Sequence, residues 1–164
     1  MADNKYAKYV ITRAMRPKDF MDETAAGFMS MPPMIFLNGD VPVKGANQFL
    51  EVVWIWDEGT AAVNPKRPPH SHDFDELFVF LGSNTKDPDD LGGEVEFWIG
   101  EKEDAEKYHF NTSTSIFVPR GLVHLPMVFK NVKRPFLLVT VGLNIGKEWG
   151  INIGKESARA KSTR

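Results

Sequence analysis

From Gln48 onward the chain falls into short β-branched and aromatic runs, each closed by Gly, Pro, Asn or Asp. Such a pattern allows a barrel or sandwich of short strands and little else. The runs cover 48–56, the neighbourhood of His70, 77–81, 94–99, 115–118 with 122–129, and 136–143. Strand follows strand without intervening helices, which argues against a parallel α/β sheet and for antiparallel pairing. The segment 82–93 is dense in turn formers and reads as a long hairpin loop. Its Asp87, Asp89 and Asp90 lack the spacing and closing Glu of an EF-hand, so a solvated loop is the better reading than a calcium site.

Before the first strong strand, Pro17 followed by Asp19, Asp22 and Glu23 suits the first turn of a short helix. Met21, Met29, Met31 and Met34 cluster in the same stretch, where thioethers fill irregular gaps. Residues 1–47 are therefore expected to form an extension packed on a barrel spanning 48–145. The polar, basic stretch ending in 146–164 is read as a tail.

With 164 residues, the chain has the size of one domain with one active centre. Its 20 Lys and Arg against 22 Asp and Glu create no basic field, so neither nucleic acid nor a membrane surface is expected as a partner. A small-molecule substrate is the better expectation. Cysteine is absent, so any metal must sit on nitrogen and oxygen ligands. The start of the chain shows no secretory signal and no segment reads as a membrane span, which makes the cytoplasm the expected location.

The informative stretch is Pro68-Pro69-His70-Ser71-His72-Asp73-Phe74-Asp75-Glu76. Alternate side chains of a strand share a face, so His70 and His72 would project together within reach of one cation. A tight reversal at Asp73-Phe74-Asp75 would start a second strand and return Glu76 beside them. On that strand Phe78 and Phe80 follow Glu76 on one face, with Leu77, Val79 and Leu81 on the other. Both faces being apolar, the strand is expected inside a two-layer structure. Much later, Pro119-Arg120-Gly121-Leu122-Val123 sets a turn that places a third imidazole, His124, at the start of a strand.

His-x-His-x3-Glu followed by a glycine, and then Pro-x-Gly-x2-His, resembles the two signature motifs of the cupin superfamily. The resemblance spans about 48–143 and implies a cupin-type jelly-roll β-barrel. It also implies one divalent transition metal ion (Fe, Mn, Ni, Co or Zn) held by His70, His72, Glu76 and His124. Three turn and framing features depart from the family pattern. Asn64 and Val128 stand where Gly and Asn are frequent, and the interval from Glu76 to Gly82 is one residue short.

Three imidazoles and one carboxylate would leave positions open for substrate or dioxygen. The leading expectation is a metal-dependent enzyme acting on a small oxygenated molecule, by dioxygenase or decarboxylase chemistry. Glu76 would be a ligand or a proton acceptor. The alternative is a non-catalytic cupin that binds a sugar or organic acid. Trp54, Trp56, Phe78 and Phe80 are candidates for a substrate pocket, or alternatively barrel core. His109 is read as structural and Arg120 as a surface residue. The apolar run 136–141 would be hazardous on an exposed edge, so a homodimer is expected.

Overall fold

The computed structural model describes residues 5–12, 25–39, 43–61 and 68–145, and all statements about structure concern these. The helix expected near 17–23 and the tail at 146–164 lie outside them. Nine strands follow in order: β1 (Ile35–Gly39), β2 (Gln48–Ile55), β3 (Gly59–Ala61), β4 (Asp75–Gly82), β5 (Asp90–Ile99), β6 (Glu106–Thr112), β7 (Thr114–Val118), β8 (His124–Lys130) and β9 (Phe136–Leu143). Two short 3-10 turns, Ala7–Tyr9 and Lys102–Asp104, are the helical elements among the described residues.

The strands form two antiparallel sheets, ordered β1-β2-β9-β4-β7 and β3-β8-β5-β6. From β2 to β9 the chain passes repeatedly between the two sheets, giving the expected jelly-roll architecture. The strand at Ile35–Gly39 pairs along β2, so the five-stranded sheet begins ahead of Gln48. Ala25, Phe28 and Met29 reach the core between the sheets.

Period-two alternation explains the packing. Along β4, Glu76, Phe78 and Phe80 are buried while Leu77 and Val79 are half-buried and Leu81 is exposed. Along β9, Phe136, Leu138, Thr140 and Gly142 face inward. The main core joins these to Val53 and Ile55 of β2, Val95 and Phe97 of β5, and Met127 and Phe129 of β8. Phe97 meets Phe78 edge-on at 5.0 Å, and Phe80 meets Phe110 at 5.1 Å, ring arrangements that suit the aromatic quadrupole. A second, smaller cluster holds Phe36, Phe49, Phe74 and Ile145.

Several expectations are corrected here. β9 is no edge strand: it is hydrogen-bonded to β2 on one side and β4 on the other, so its apolar run needs no edge protection. β4 is buried on one face only. The stretch after Gly82 is no hairpin loop, because β4 and β5 belong to different sheets and β5 already begins at Asp90. Asp90 itself is engaged by Asn84 and Arg134, whose hydrogen bonds hold its carboxyl pKa below the usual carboxylate range.

Candidate metal centre

His70 and His72 do not stand on a strand. Prolines at 68 and 69 supply no N–H to a ladder, and the only pairing here is an isolated bridge between His70 and His124. Through that bridge each residue's N–H donates to the other's carbonyl oxygen, at 3.2 and 3.0 Å. The turn at Gly121, whose φ of +81° suits glycine, is tied down by its N–H donating to His72 O at 2.8 Å. The two motifs are thus joined by main-chain hydrogen bonds before any side chain is considered.

His124 opens β8, and its orientation comes from an irregularity. Ile99 of β5 pairs with His124 and Phe97 pairs with Met127, so β8 carries one extra residue over this interval. Leu125, at the bulge, has a φ of +77°, a left-handed conformation rare for a leucine. His124 and Leu125 are consecutively buried as a result, which strict alternation forbids. A bulge of this kind re-aims a side chain, here an imidazole into the interior.

The ligand atoms of His70, His72 and His124 all lie within 4.8 Å of one another. His70 Nε2 is 3.1 Å from His72 Nε2. Glu76 Oε2 adjoins two of the three rings, 2.9 Å from His124 Nε2 and 3.5 Å from His72 Nε2. The four residues expected from the sequence therefore converge, with His72, Glu76 and His124 buried and His70 half-buried.

Protons decide what this arrangement is for. His70 Nδ1 donates to Pro68 O at 2.7 Å and His124 Nδ1 to Leu122 O at 3.2 Å. A neutral ring with its proton on Nδ1 presents a bare lone pair at Nε2. Burial, reinforced by the neighbouring His70 and His124, pushes the His72 pKa down to about 3, which keeps this ring neutral near pH 7. His124 Nε2 and Glu76 Oε2 are correspondingly left without a hydrogen-bond partner despite their ion-pair separation. Such atoms cost about 1–3 kcal/mol each when buried unsatisfied. Donors about 2.1 Å from one ion lie about 3.0–3.4 Å apart in octahedral or tetrahedral shells. Three of the separations, at 2.9, 3.1 and 3.5 Å, are close to that spacing, and the three histidine ligand atoms all stay within 4.8 Å, so the nitrogen and oxygen donor set fits a divalent transition metal.

The walls come from both core clusters. Phe78 packs edge-on to His124 with centroids 5.5 Å apart, and Phe74 stacks on His72 at 4.6 Å and 17°. Phe74 was not singled out from the sequence, where it read as part of a turn; an aromatic between two proposed ligands was the available signal. Phe80 is fully buried against Phe97 and Phe110, deeper than Phe78. Trp54 is on the outer face of the five-stranded sheet. With Trp56, Ser83 and Pro135 it lines a separate open groove of about 400 Å3. Structure thus separates the aromatic quartet: Phe78 adjoins the histidines, and the tryptophans line another surface. His109 pairs with Glu94 at 3.0 Å on the exterior, and Arg120 is an exposed turn residue beside Asp75.

No protein-family model and no curated protein sequence matches the chain. Solved structures do. One from a study of the mechanism of oxalate oxidase aligns with a TM-score of 0.52 and 16% identity, covering 89% of this chain and 65% of that one. Cobalt(II) HppE in complex with substrate aligns at 20% identity and a TM-score of 0.35, covering 59% of this chain and 45% of that one. Hydroxypropylphosphonic acid epoxidase from S. wedmorenis gives 19% identity and the same TM-score, covering 59% and 44%. The chain thus spans less than half the length of the HppE and epoxidase structures and under two thirds of the oxalate oxidase. No helix among the described residues is long and apolar enough to cross a membrane. The oxalate oxidase alignment, at 16% identity, concerns the fold alone, and at the level of fold the chain is a cupin-like, two-sheet jelly roll.

Proposed function

We propose that this chain is a metal-dependent cupin enzyme acting on a small oxygenated organic molecule, with His70, His72, Glu76 and His124 as the ligands of one divalent transition metal ion. The observation that carries the reading is the convergence of three imidazoles, two of them (His70 and His124) turned with Nδ1 on a carbonyl and Nε2 inward, with the Glu76 carboxylate in a largely buried site.

Bound there, such an ion would supply Lewis acidity and, if redox-active, electron transfer to dioxygen. The protein's own part is positioning and exclusion of water. Pro68 O and Leu122 O fix the tautomer and tilt of two rings through their Nδ1 protons. Phe74 and Phe78 close the apolar side, which lowers the local dielectric and strengthens every charge interaction within. Glu76, whose Oε2 adjoins two imidazoles, is the one carboxylate of the set and could serve as a proton acceptor when not engaged as a ligand. With four protein donors, a bound ion would keep room for an oxygen atom of the substrate. Dioxygenase or decarboxylase chemistry fits an oxygen- and nitrogen-only shell beside aromatic walls.

Elemental analysis of protein purified without added metal, beside His72→Ala and His124→Ala, tests the reading. Near one equivalent of Fe, Mn, Ni, Co or Zn in the parent, lost in both variants, is the expected result. The loaded protein would then be screened for dioxygen consumption and decarboxylation of small oxygenated acids. No metal in the parent and no uptake on reconstitution would overturn the proposal in favour of a cavity that binds its ligand without an ion.

A further inference from the structure

The two sheets present opposite chemistry to their surroundings. On the outer face of the four-stranded sheet, Glu96 lies between Lys107 and Lys130 at 3.2 and 2.9 Å, and Glu94 meets His109 and Asn131. That face is built for water. On the five-stranded sheet the register places rows of aliphatic and aromatic side chains outward, among them the row Trp54, Leu137 and Leu81 and the row Leu50, Val141, Leu77 and Phe117. Between these rows lies a third, Val52, Val139 and Val79. Within the rows no charged residue occurs; Asp75 and Gln48 stand only at the margin. Ile35, Leu81, Phe117 and Leu143 are exposed.

We infer that the outer face of the five-stranded sheet is the interface of a homodimer, in which a second copy packs the same face against it. This assignment is independent of the metal centre. The size of the face is its first support. The three eight-residue strands and their two shorter flanking strands define about 550 Å2 of flat area at strand spacings of about 4.8 Å. That is near the upper end of the roughly 300–600 Å2 of the largest apolar patch a monomer leaves exposed. Two such faces together reach about 1,100 Å2, above the roughly 1,000 Å2 that a specific interface needs.

Shape and charge favour a second copy over other occupants. A twofold interface must be self-complementary, and an uncharged sheet face meets this without opposing like charges. Two sheets pack face to face at about 10 Å with their strands nearly aligned, as the two layers inside a sandwich do. The chain's own remaining C-terminal sequence is a poor cover. Ile145 packs with Phe36, Phe49 and Phe74 in the inner cluster, so the last described residue lies on the other side of the sheet. Residues 146–164 also include seven charged side chains.

Sedimentation equilibrium of the full chain over the micromolar range tests the assignment, with Leu81→Glu and Phe117→Glu singly and together. At 45% and 58% exposure these positions tolerate a charge in the monomer, and circular dichroism verifies that each variant folds. A dimeric parent is expected, with its dissociation constant raised on the order of a hundredfold in the double variant, because each copy would bury unpaired charges. Val128→Lys, on the outer face of the other sheet opposite Glu96, is expected to stay dimeric. A monomeric parent, a dimer unaffected by the double variant, or a dimer lost equally in Val128→Lys would overturn the assignment.

Discussion

Glu76 Oε2 lies 2.9 Å from His124 Nε2, yet neither buried atom has a hydrogen-bond partner among the described residues. The fold holds the two together without joining them by a hydrogen bond. Glu76→Gln replaces one acceptor oxygen by an amide that donates two protons, and it removes a negative charge from the ligand set. The metal-free variant is expected to be more stable than the parent by about 1 kcal/mol, since a hydrogen bond to His124 becomes possible. Its metal uptake is expected to fall at least tenfold. Urea unfolding of the stripped proteins and competitive metal titration check both halves; a variant that loses stability and keeps full affinity would count against ligation by Glu76.

Acid should weaken the metal-free protein through His72. Its pKa is lowered from 6.5 to about 3, first by burial and then by His70 and His124. The unfolded chain therefore takes up the proton first, as pH falls below 6.5. Stability is fully present above that pH and is lost as pH falls toward about 3, at up to about 1.4 kcal/mol per pH unit from this one group. Urea midpoints of parent and His72→Gln across that window check the sign: the variant's slope is expected to be shallower.

The fold was legible where apolar and β-branched residues run together, and obscured where they do not. β2, β4, β8 and β9 are near-continuous runs of β-branched, aliphatic and aromatic residues and stand out from the chain. β6 is almost wholly exposed, with Phe110 its one half-buried apolar side chain, so Glu106–Thr112 offers no pattern to read. In β5 the glycines at 92 and 93 conceal a strand that begins at Asp90, because glycine lacks the side chain that alternation is read from. The four candidate ligands were legible from spacing, but the means of bringing them together was not. A ladder through His70 and His72 was expected; prolines, a single bridge and the bulge at Leu125 do that work instead. The apolar run of β9 led to the wrong inference about its place, since a run apolar on both faces does not reveal whether the strand is central or at an edge.

Metal should stabilise the fold by mass action. An ion bound by the native state and not by the unfolded chain adds about 2.7 kcal/mol at a free concentration one hundred times its dissociation constant. Thermal unfolding of stripped protein with increasing Fe(II), Mn(II), Co(II), Ni(II) or Zn(II) is expected to show a rising midpoint for at least one ion. His124→Ala should abolish the rise. Magnesium and calcium, which prefer oxygen shells, should produce none. A midpoint unchanged by all five transition ions would remove the metal from the account.

Gly142 tests how tightly the packing behind the ligands controls them. It pairs with Glu76 across β9 and β4, and a Cβ there would lie 2.6 Å from the Phe74 ring and 3.1 Å from Phe49 Cβ. Phe74 must yield, and it is the ring stacked on His72. Overpacking of this kind costs about 1–3 kcal/mol. Gly142→Ala is therefore expected to lower stability by that amount and to weaken metal uptake, although no ligand is altered. Adding Phe74→Leu to Gly142→Ala should restore part of the stability by making room for the methyl group, while leaving His72 without its stacked neighbour and uptake still impaired. Urea unfolding and metal titration of the two variants separate these effects: stability that recovers while affinity does not would assign the role to the stacked ring, and recovery of both would assign it to relief of the clash alone.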